Sequence, residues 1–580
     1  MTAPDNEPGA DPVTREIIRG KLLALADEMG IVIAKTSMSP VIYEVLDFAC
    51  GLCDADGELI VQTNGITLFT GTFAPQVRSI VRRHGATMRP GDVFMTNDPF
   101  EGGTHSCDIA LIKPIFLEGQ LFAFAISVAH WSEVGGAVPG SISPTATEIY
   151  QEGVRFPGIR VCRDDETIDD VIALIRENVR LPVQSLGDFN AGLAAVRIAE
   201  TRLREVLARY GEQAVVATFG HILETSERLS RAAVAALPDG DYTAEDWIDG
   251  DGITEERFRV AVTVRIRGDT IAFDFTGTSP MVKGPINCAF GALDSAVKTV
   301  FKSLVDPQAP SNEGWFRPVS LICPPGTVFT AEKPAPTGWY YEGSAHASEL
   351  AWKALADVAP ERFSAGSYMS LAGTYFYGRD PESGEVYVHI EPAIGGWGAT
   401  ASGDGTSALI ATTDGDTYNY SVELFEAKFP LAIRRYALNV EDGTGAGRHR
   451  GGFGVVREFE VAGDEAHTYC SIGRSIERPW GLEGGGEGSN NYMRIESKGA
   501  VKRVARIPYQ ALGEGDRVAV VTGGGGGFGN PLTRPAEAVA ADVADGYISA
   551  ERACSDYGVV IAADGDVDEA ATAALRAQLR

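Results

Sequence analysis

Two histidines and an aspartate, His105, Asp108 and His130, lie close together in the stretch 97–136, NDPFEGGTHSCDIALIKPIFLEGQLFAFAISVAHWSEVGG. Imidazole nitrogens and a carboxylate oxygen form the mixed ligand set that suits zinc, manganese or iron. A divalent metal held there would lower the pKa of a bound water toward roughly 7 or polarise a carbonyl oxygen, and either effect suits attack on an amide-like carbon. Glu133, three residues after His130, is a candidate base beside such a site. Its competing reading is an exposed loop carboxylate. Asp98, directly before Pro99, reads as a turn former.

These residues need a scaffold that brings them together. Residues 110–116 and 121–128 are apolar runs separated by Glu118-Gly119 and predict an antiparallel hairpin. Asp108 at the start of one strand and His130 at the end of the other then reach the same edge, with His105 close enough to join them. Upstream, residues 12–38 carry an apolar stripe compatible with a helix, for which Thr14 is a candidate cap. After Ser39-Pro40, VIYEVLDFACGLCDADGELIVQ predicts two strands joined by a turn at Asp56-Gly57, with Glu44 and Asp47 just before or inside the first. A second helix is predicted over 73–83, and GDVFMTN is a short strand leading into the histidine loop.

The organisation expected for the whole chain is α+β, a large mixed multi-segment fold. A disordered tail over 1–11 precedes an α/β metal-site region over 12–165. A helical region over 166–237, rich in Ala, Arg, Glu and Leu, is followed by a β-rich, Gly-dense region over 238–530 and a C-terminal helical segment over 531–580. Helical inserts are predicted at 293–304 and 346–358. Length alone gives a prior of roughly three to four domains.

The balance of 50 Lys+Arg against 79 Asp+Glu, a net charge of −29, argues against nucleic acid or an anionic membrane as partner, because phosphates are repelled at long range. The N-terminus has neither a basic nor an apolar signal region, and no run of about 18 apolar residues occurs. The eight cysteines outline no disulfide framework, so a cytoplasmic location is expected. Cys50-x-x-Cys53 has no second pair to complete a zinc set, and on a strand the two thiols face opposite sides. The glycine runs GGGEG and GGGGGFG do not match a phosphate-binding loop, and tight turns at a subunit interface explain them better than an anion nest. His84, His221, His346, His389, His449 and His467 lack matched neighbours and read as structural or surface residues.

The stretches LDFACGLCDADGELI, GDVFMTNDPFEGGTHSCDIALIKPIF, AHWSEVGGAVPGS, ATEIYQEGVRFP, FDFTGTSPMVKGPINC, AGRHRGGFGVVREF and GGGGGFGNP resemble the hydantoinase B family. This is the B-type subunit of ATP-dependent hydantoinases, 5-oxoprolinases and caprolactamases, related to subunits of acetone and acetophenone carboxylases. The resemblance implies a metal held by Asp47, His105, Asp108 and His130, zinc before manganese or iron. Glu44 is the rival for the fourth position, because the related carboxylases use an acidic residue there. The sequence departs from the family pattern at Trp131, where a second histidine is common, and at Ser106-Cys107, where Leu-Pro is usual.

The same resemblance implies a hetero-oligomer. A separate A-type subunit would bind ATP and Mg and phosphorylate the carbonyl oxygen of a small cyclic amide, and this chain would act on the activated product. The absence of a nucleotide motif here agrees with that division. Two activities stay open: hydrolysis of a hydantoin, lactam or oxoproline, and carboxylation of a ketone.

Overall fold

The computed structural model describes residues 11–415, 417–463 and 465–579, and the protein is a mixed α+β fold. All but the last residue of the expected tail, 1–11, lies outside the described residues. The first helix, Pro12–Thr36, is capped by Asp11, whose carboxylate accepts from the Val13 and Thr14 amides. Thr14 is not the cap but donates its hydroxyl to Asp11. Asp outcompetes Thr here because it stands one residue before Pro12, which occupies the first helical turn where no amide is needed.

Seven strands form the sheet that carries the histidine hairpin: β1 (Phe48–Asp54), β2 (Leu59–Gln62), β3 (Val93–Thr96), β4 (Asp108–Leu117), β5 (Gln120–His130), β6 (Ile159–Arg163) and β7 (Glu166–Thr167), in the order β2-β1-β5-β4-β3-β6-β7. Every neighbouring pair is antiparallel. The expected start of β1 is displaced: Pro40–Tyr43 is a helical turn, and the strand begins only after Asp47. β4 and β5 run two residues further toward the histidine end than the apolar pattern suggested. Polar residues there break the pattern, but ladder hydrogen bonds and burial keep the strand going.

Both faces of β4 and β5 are covered, which explains why they read as near-continuous apolar runs rather than as an alternation. The long helix Pro182–Tyr210 packs on one face, alongside the first helix. Gly192 lets it come close, since a Cβ there would lie 3.0 Å from Leu111 Cδ1. The helix Phe73–His84 contacts β1 and β5 as well.

A second sheet follows, β8 (Gly240–Asp249), β9 (Arg257–Arg267), β10 (Thr270–Asp274) and β11 (Val319–Ile322), ordered β11-β10-β9-β8. Against β8 and β9 lies the helix Tyr340–Ala356, buried along nearly its whole length. It begins six residues before the predicted 346. Its opening residues include Gly343 and Ser344, poor helix formers on propensity, and burial on all sides overrides that preference.

The remaining strands make two further sheets. One contains β12 (Gly373–Arg379), β13 (Val386–Glu391), β16 (Glu465–Ser471) and β19 (Arg506–Gly513); the other contains β14 (Leu431–Leu438), β15 (Val455–Val461), β17 (Tyr492–Ser497), β18 (Ala500–Val504) and β20 (Arg517–Val521). One continuous apolar core runs from Ile18 to Val520, and a small separate cluster serves the C-terminal helices.

The glycine run 523–527 is not a set of turns. It is a buried, extended segment whose amides and carbonyls bond outward to several neighbouring segments, including Gly445 N to Gly525 O at 2.9 Å, Gly526 N to Gly366 O at 2.8 Å and Gly527 N to Gly486 O at 2.9 Å. A Cβ on Gly525 would overlap the Trp397 carbonyl. Glycine is required here for backbone-to-backbone approach, not for a left-handed turn. Among the described residues no helix is long and apolar enough to cross a membrane.

Candidate metal centre

The sheet order places three acidic or imidazole side chains in one row. Asp108 is directly opposite His130 across the β4–β5 pair. On the other side of β5, Phe48 faces Ala129 and the His130 amide donates to the Asp47 carbonyl at 3.0 Å, so the β1–β5 pairing extends one step to Asp47. Directly opposed residues project to the same face of a sheet. Asp47, just before β1, therefore shares a face with His130 on β5 and Asp108 on β4. Leu46, just before Asp47, adopts the left-handed conformation at φ 64°. That conformation is uncommon for a branched apolar residue and is held in place by the surrounding structure.

His105 reaches the row from the loop before β4. Its Nε2 is 3.0 Å from Asp108 Oδ1 and 3.2 Å from His130 Nδ1, and His130 Nδ1 is 3.0 Å from the same carboxylate oxygen. His105 Nδ1 donates to the Gly338 carbonyl at 3.0 Å, which fixes the tautomer and leaves a lone pair on Nε2 in the neutral ring. The Tyr340 ring packs on His105 at 4.8 Å between centroids. Thr104 donates its hydroxyl to the other Asp108 oxygen.

Glu152, fully buried, accepts from the Gly338 amide at 2.7 Å and the Thr337 amide at 3.0 Å, so it anchors the two peptides just before the one whose carbonyl orients His105. Burial pushes the Glu152 pKa up to about 8 against the pull of these amides.

These groups line a small cavity of about 50 Å³. Asp47, His105, Asp108, His130, Asp414 and Glu391 supply its polar surface, and Phe69, Ile142, Tyr340, Tyr341, Leu371, Tyr375 and Ile390 are among its apolar walls. Burial alone would raise the Asp108 pKa, yet the two imidazoles beside it outweigh that cost and hold the carboxyl well below its usual range. The Asp47 carboxyl is lifted well above that range by burial, with Asp414 and Asp108 adding to the effect and His130 opposing it. Burial also pushes Asp414 up to about 7, against the hydroxyl of Thr417.

The residues fit a divalent cation. His105, Asp108 and His130 bring one donor atom each to within 4.8 Å of one another, all three side chains being buried. Asp47 lines the same cavity, and its Oδ1 is shut off from solvent without a hydrogen-bond partner. Three converging lone pairs and an orphaned carboxylate oxygen repel one another unless protons or a cation lie between them. Glu44 is half-buried at the end of the helical turn Pro40–Tyr43 and does not line the cavity.

The expected base, Glu133, is buried in the loop after β5. It does not line the cavity, and its fully buried carboxylate accepts from the Gly135 amide at 2.6 Å, the Gly140 amide at 3.0 Å and Arg180 Nη1 at 2.9 Å. Both oxygens organise the loop after β5, so the placement lends no support to the expected base role. Nor is Glu133 the exposed carboxylate of the competing reading. Asp98 accepts from the Phe100 amide at 3.1 Å as a turn former does. Cys50 and Cys53 are fully buried, and burial raises both thiols.

Asp414 and Glu391 went unnoticed in the sequence, as did the tyrosines. Asp414 sits in the short helix Thr412–Asp414 and Glu391 at the end of β13, more than two hundred residues from the histidine hairpin. No spacing rule connects such distant positions.

The comparisons with known proteins span almost the whole chain. A family model described as hydantoinase B/oxoprolinase matches residues 11–531. A protein of Pseudomonas sp. (strain NS671) described as the B component of a D-/L-hydantoinase is 33% identical over 98% of each chain. The crystal structure of the ATP-dependent caprolactamase from Pseudomonas jessenii superposes with a TM-score of 0.91 at 31% identity, covering 98% of this chain and 100% of that one. The nucleotide-free acetone carboxylase structure shares the fold, with a TM-score of 0.92 at 23% identity over 98% of this chain and 83% of that chain. With the matched region spanning the site hairpin, the buried helix and the glycine run alike, the chain belongs to the hydantoinase B/oxoprolinase family.

Proposed function

We propose that this chain is the metal-bearing B-type subunit of a two-component, ATP-dependent enzyme that hydrolyses a cyclic amide, with ATP and Mg bound by an A-type partner. The observation that carries this reading is the convergence of His105 Nε2, Asp108 Oδ1 and His130 Nδ1 beside the orphaned Asp47 Oδ1. Similarity at 33% to proteins described as the B component of a hydantoinase and the beta component of a caprolactamase favours amide substrates and a partner subunit.

Asp47, His105, Asp108 and His130 would hold the metal, with zinc suited to this N2O2 set and manganese or iron compatible with it. Such a metal supplies a Lewis acid for a carbonyl oxygen or an acidified water. The chain's own residues do the rest. Glu152 and the Gly338 carbonyl keep the lone pair of His105 turned into the cavity, and Tyr340 packs over the ring. The aromatic and aliphatic walls exclude bulk water from the reacting group, which strengthens every polar contact inside. Phosphorylation of the carbonyl oxygen by the partner would supply the leaving group that an unactivated amide lacks.

The test is reconstitution. Purified with its A-type partner, the protein should open cyclic amides with ATP and without bicarbonate. Turnover that strictly requires bicarbonate would replace this reading with that of a ketone carboxylase, whose fold the chain shares.

A further inference from the structure

Away from the metal centre, the turn after β8 and the junction of β18 with β19 border a cavity of about 600 Å³, a size that suits a small organic ligand. The turn is DGDGITE over 249–255. Gly250 and Gly252 take φ of 73° and 87°, and Asp251 locks the bend by accepting the Ile253 and Thr254 amides on one oxygen and the Gly284 amide on the other. Four of the side chains lining the cavity are charged. Asp249 and Glu255 come from the two ends of the turn, and Arg503 and Arg506 from the strand junction.

These charges are not spent on one another. Asp249 is 7% exposed and the Arg506 side chain 6% exposed, yet the two carry open hydrogen-bonding positions. Arg506 donates Nη1 to the Asp249 backbone carbonyl and Nη2 to Glu342 Oε2 at 3.3 Å, and its Nε has no hydrogen-bond partner. Asp249 accepts the Ser475 and Ile476 amides on Oδ2, at 3.0 and 2.9 Å, and its Oδ1 has no partner. Arg503 is held over the Tyr492 ring, 3.5 Å from its centroid. Among the described residues, neither its guanidinium nor the Glu255 carboxylate has an ion pair or hydrogen bond. A buried charged group left short of a partner is destabilising until something supplies one.

The open groups sort by sign and by segment, acceptors on the turn and donors on the strand junction. A ligand with a single charge answers only half of them. An anion would meet the two carboxylates, and a cation the two guanidinium groups. A molecule that carries a carboxylate at one end and an ammonium at the other answers both halves.

We propose that this cavity binds a linear zwitterionic amino acid, its carboxylate on Arg503 and Arg506 and its ammonium on Asp249 and Glu255, at a site separate from the metal centre. Opening of a lactam ring yields this class of molecule, but the site stands on its own geometry and not on the amidohydrolase reading.

The test is isothermal titration calorimetry on the purified full chain with 4-aminobutanoate and 6-aminohexanoate, each compared with the acid and the amine of the same chain length, and repeated in EDTA. At least one of the two amino acids should bind with a Kd under about 1 mM, about tenfold or more tighter than its one-charge analogues, and equally well in EDTA. Arg503→Ala and Glu255→Ala, both at exposed positions, should each weaken binding roughly tenfold, the worth of a charge-assisted hydrogen bond, with Tm unchanged. Binding of neither amino acid, analogues that bind within about tenfold, or an affinity within about threefold of wild type in either variant overturns the proposal. Binding abolished by EDTA puts the amino acid on the metal, which overturns this site and leaves the metal centre standing.

Discussion

Asp108→Asn separates a metal site from a mere cluster of polar groups. Asp108 Oδ1 stands 3.0 Å from both His105 Nε2 and His130 Nδ1, in a setting where the three side chains are 2 to 6% exposed. Asparagine keeps the shape and an oxygen for the Thr104 hydroxyl, so the fold should persist, but the negative charge that would bind a cation is gone. Removing one charged partner from a buried cluster costs about 3 kcal/mol or more, which is roughly a hundredfold or more in metal dissociation constant. The assay is chelator competition with zinc, supported by thermal unfolding. At free zinc about a hundred times the wild-type dissociation constant, the wild type gains about 2.7 kcal/mol of stability from the metal. A variant weakened a hundredfold gains only about 0.4 kcal/mol under the same conditions. One tightly held zinc per chain in Asp108→Asn, with affinity within tenfold of wild type, would refute the assignment of this cluster as the metal centre.

Asp47→Asn should strip the metal while Glu44→Gln leaves it bound, since only Asp47 lines the cavity; elemental analysis of the two variants after dialysis checks this, and the reverse result moves the fourth ligand to Glu44. Glu133→Gln should keep the metal and lower stability by about 1–3 kcal/mol through its weakened pairing with Arg180, measured by denaturant unfolding. Glu152 has a folded pKa of about 8 against an ordinary 4.5, so its contribution to stability is full below about 4.5 and is lost as pH rises through about 8. Glu152→Gln should accordingly flatten the fall in Tm across that window, while parallel Tm–pH profiles for wild type and variant would remove Glu152 as the cause. Gly525→Ala puts a methyl group onto the Trp397 carbonyl and should cost more than about 3 kcal/mol, visible as loss of soluble protein or a large drop in Tm.

The histidine hairpin was readable because local rules suffice for it. Its two apolar runs, the Glu118-Gly119 turn and the antiparallel pairing that sets Asp108 opposite His130 all lie within one contiguous stretch, where pattern and turn chemistry act together. The long helices Pro182–Tyr210 and Glu212–Ala235 were equally plain, lying in a long stretch rich in Ala, Arg, Glu and Leu with few breakers. The start of the helix Tyr340–Ala356 was not, because Gly343 and Ser344 argue against a helix until burial on every side is known. The glycine run misled for a related reason: a sequence shows that glycine permits turns, but not that another backbone lies where its Cβ would be.

By itself, then, the sequence determined which residue types could bind a metal and that His105, Asp108 and His130 would meet, since a hairpin fixes its own register. Its resemblance to a family added Asp47. Tertiary structure alone decided that Asp414 and Glu391 join them, that Glu133 turns to Arg180 and the loop amides instead, and that Glu152 holds the peptide behind His105. Apart from the loop amides beside Glu133, two and seven residues away, those contacts span from tens to more than three hundred residues of chain, and they follow from how sheets and helices stack, a choice that no local spacing encodes.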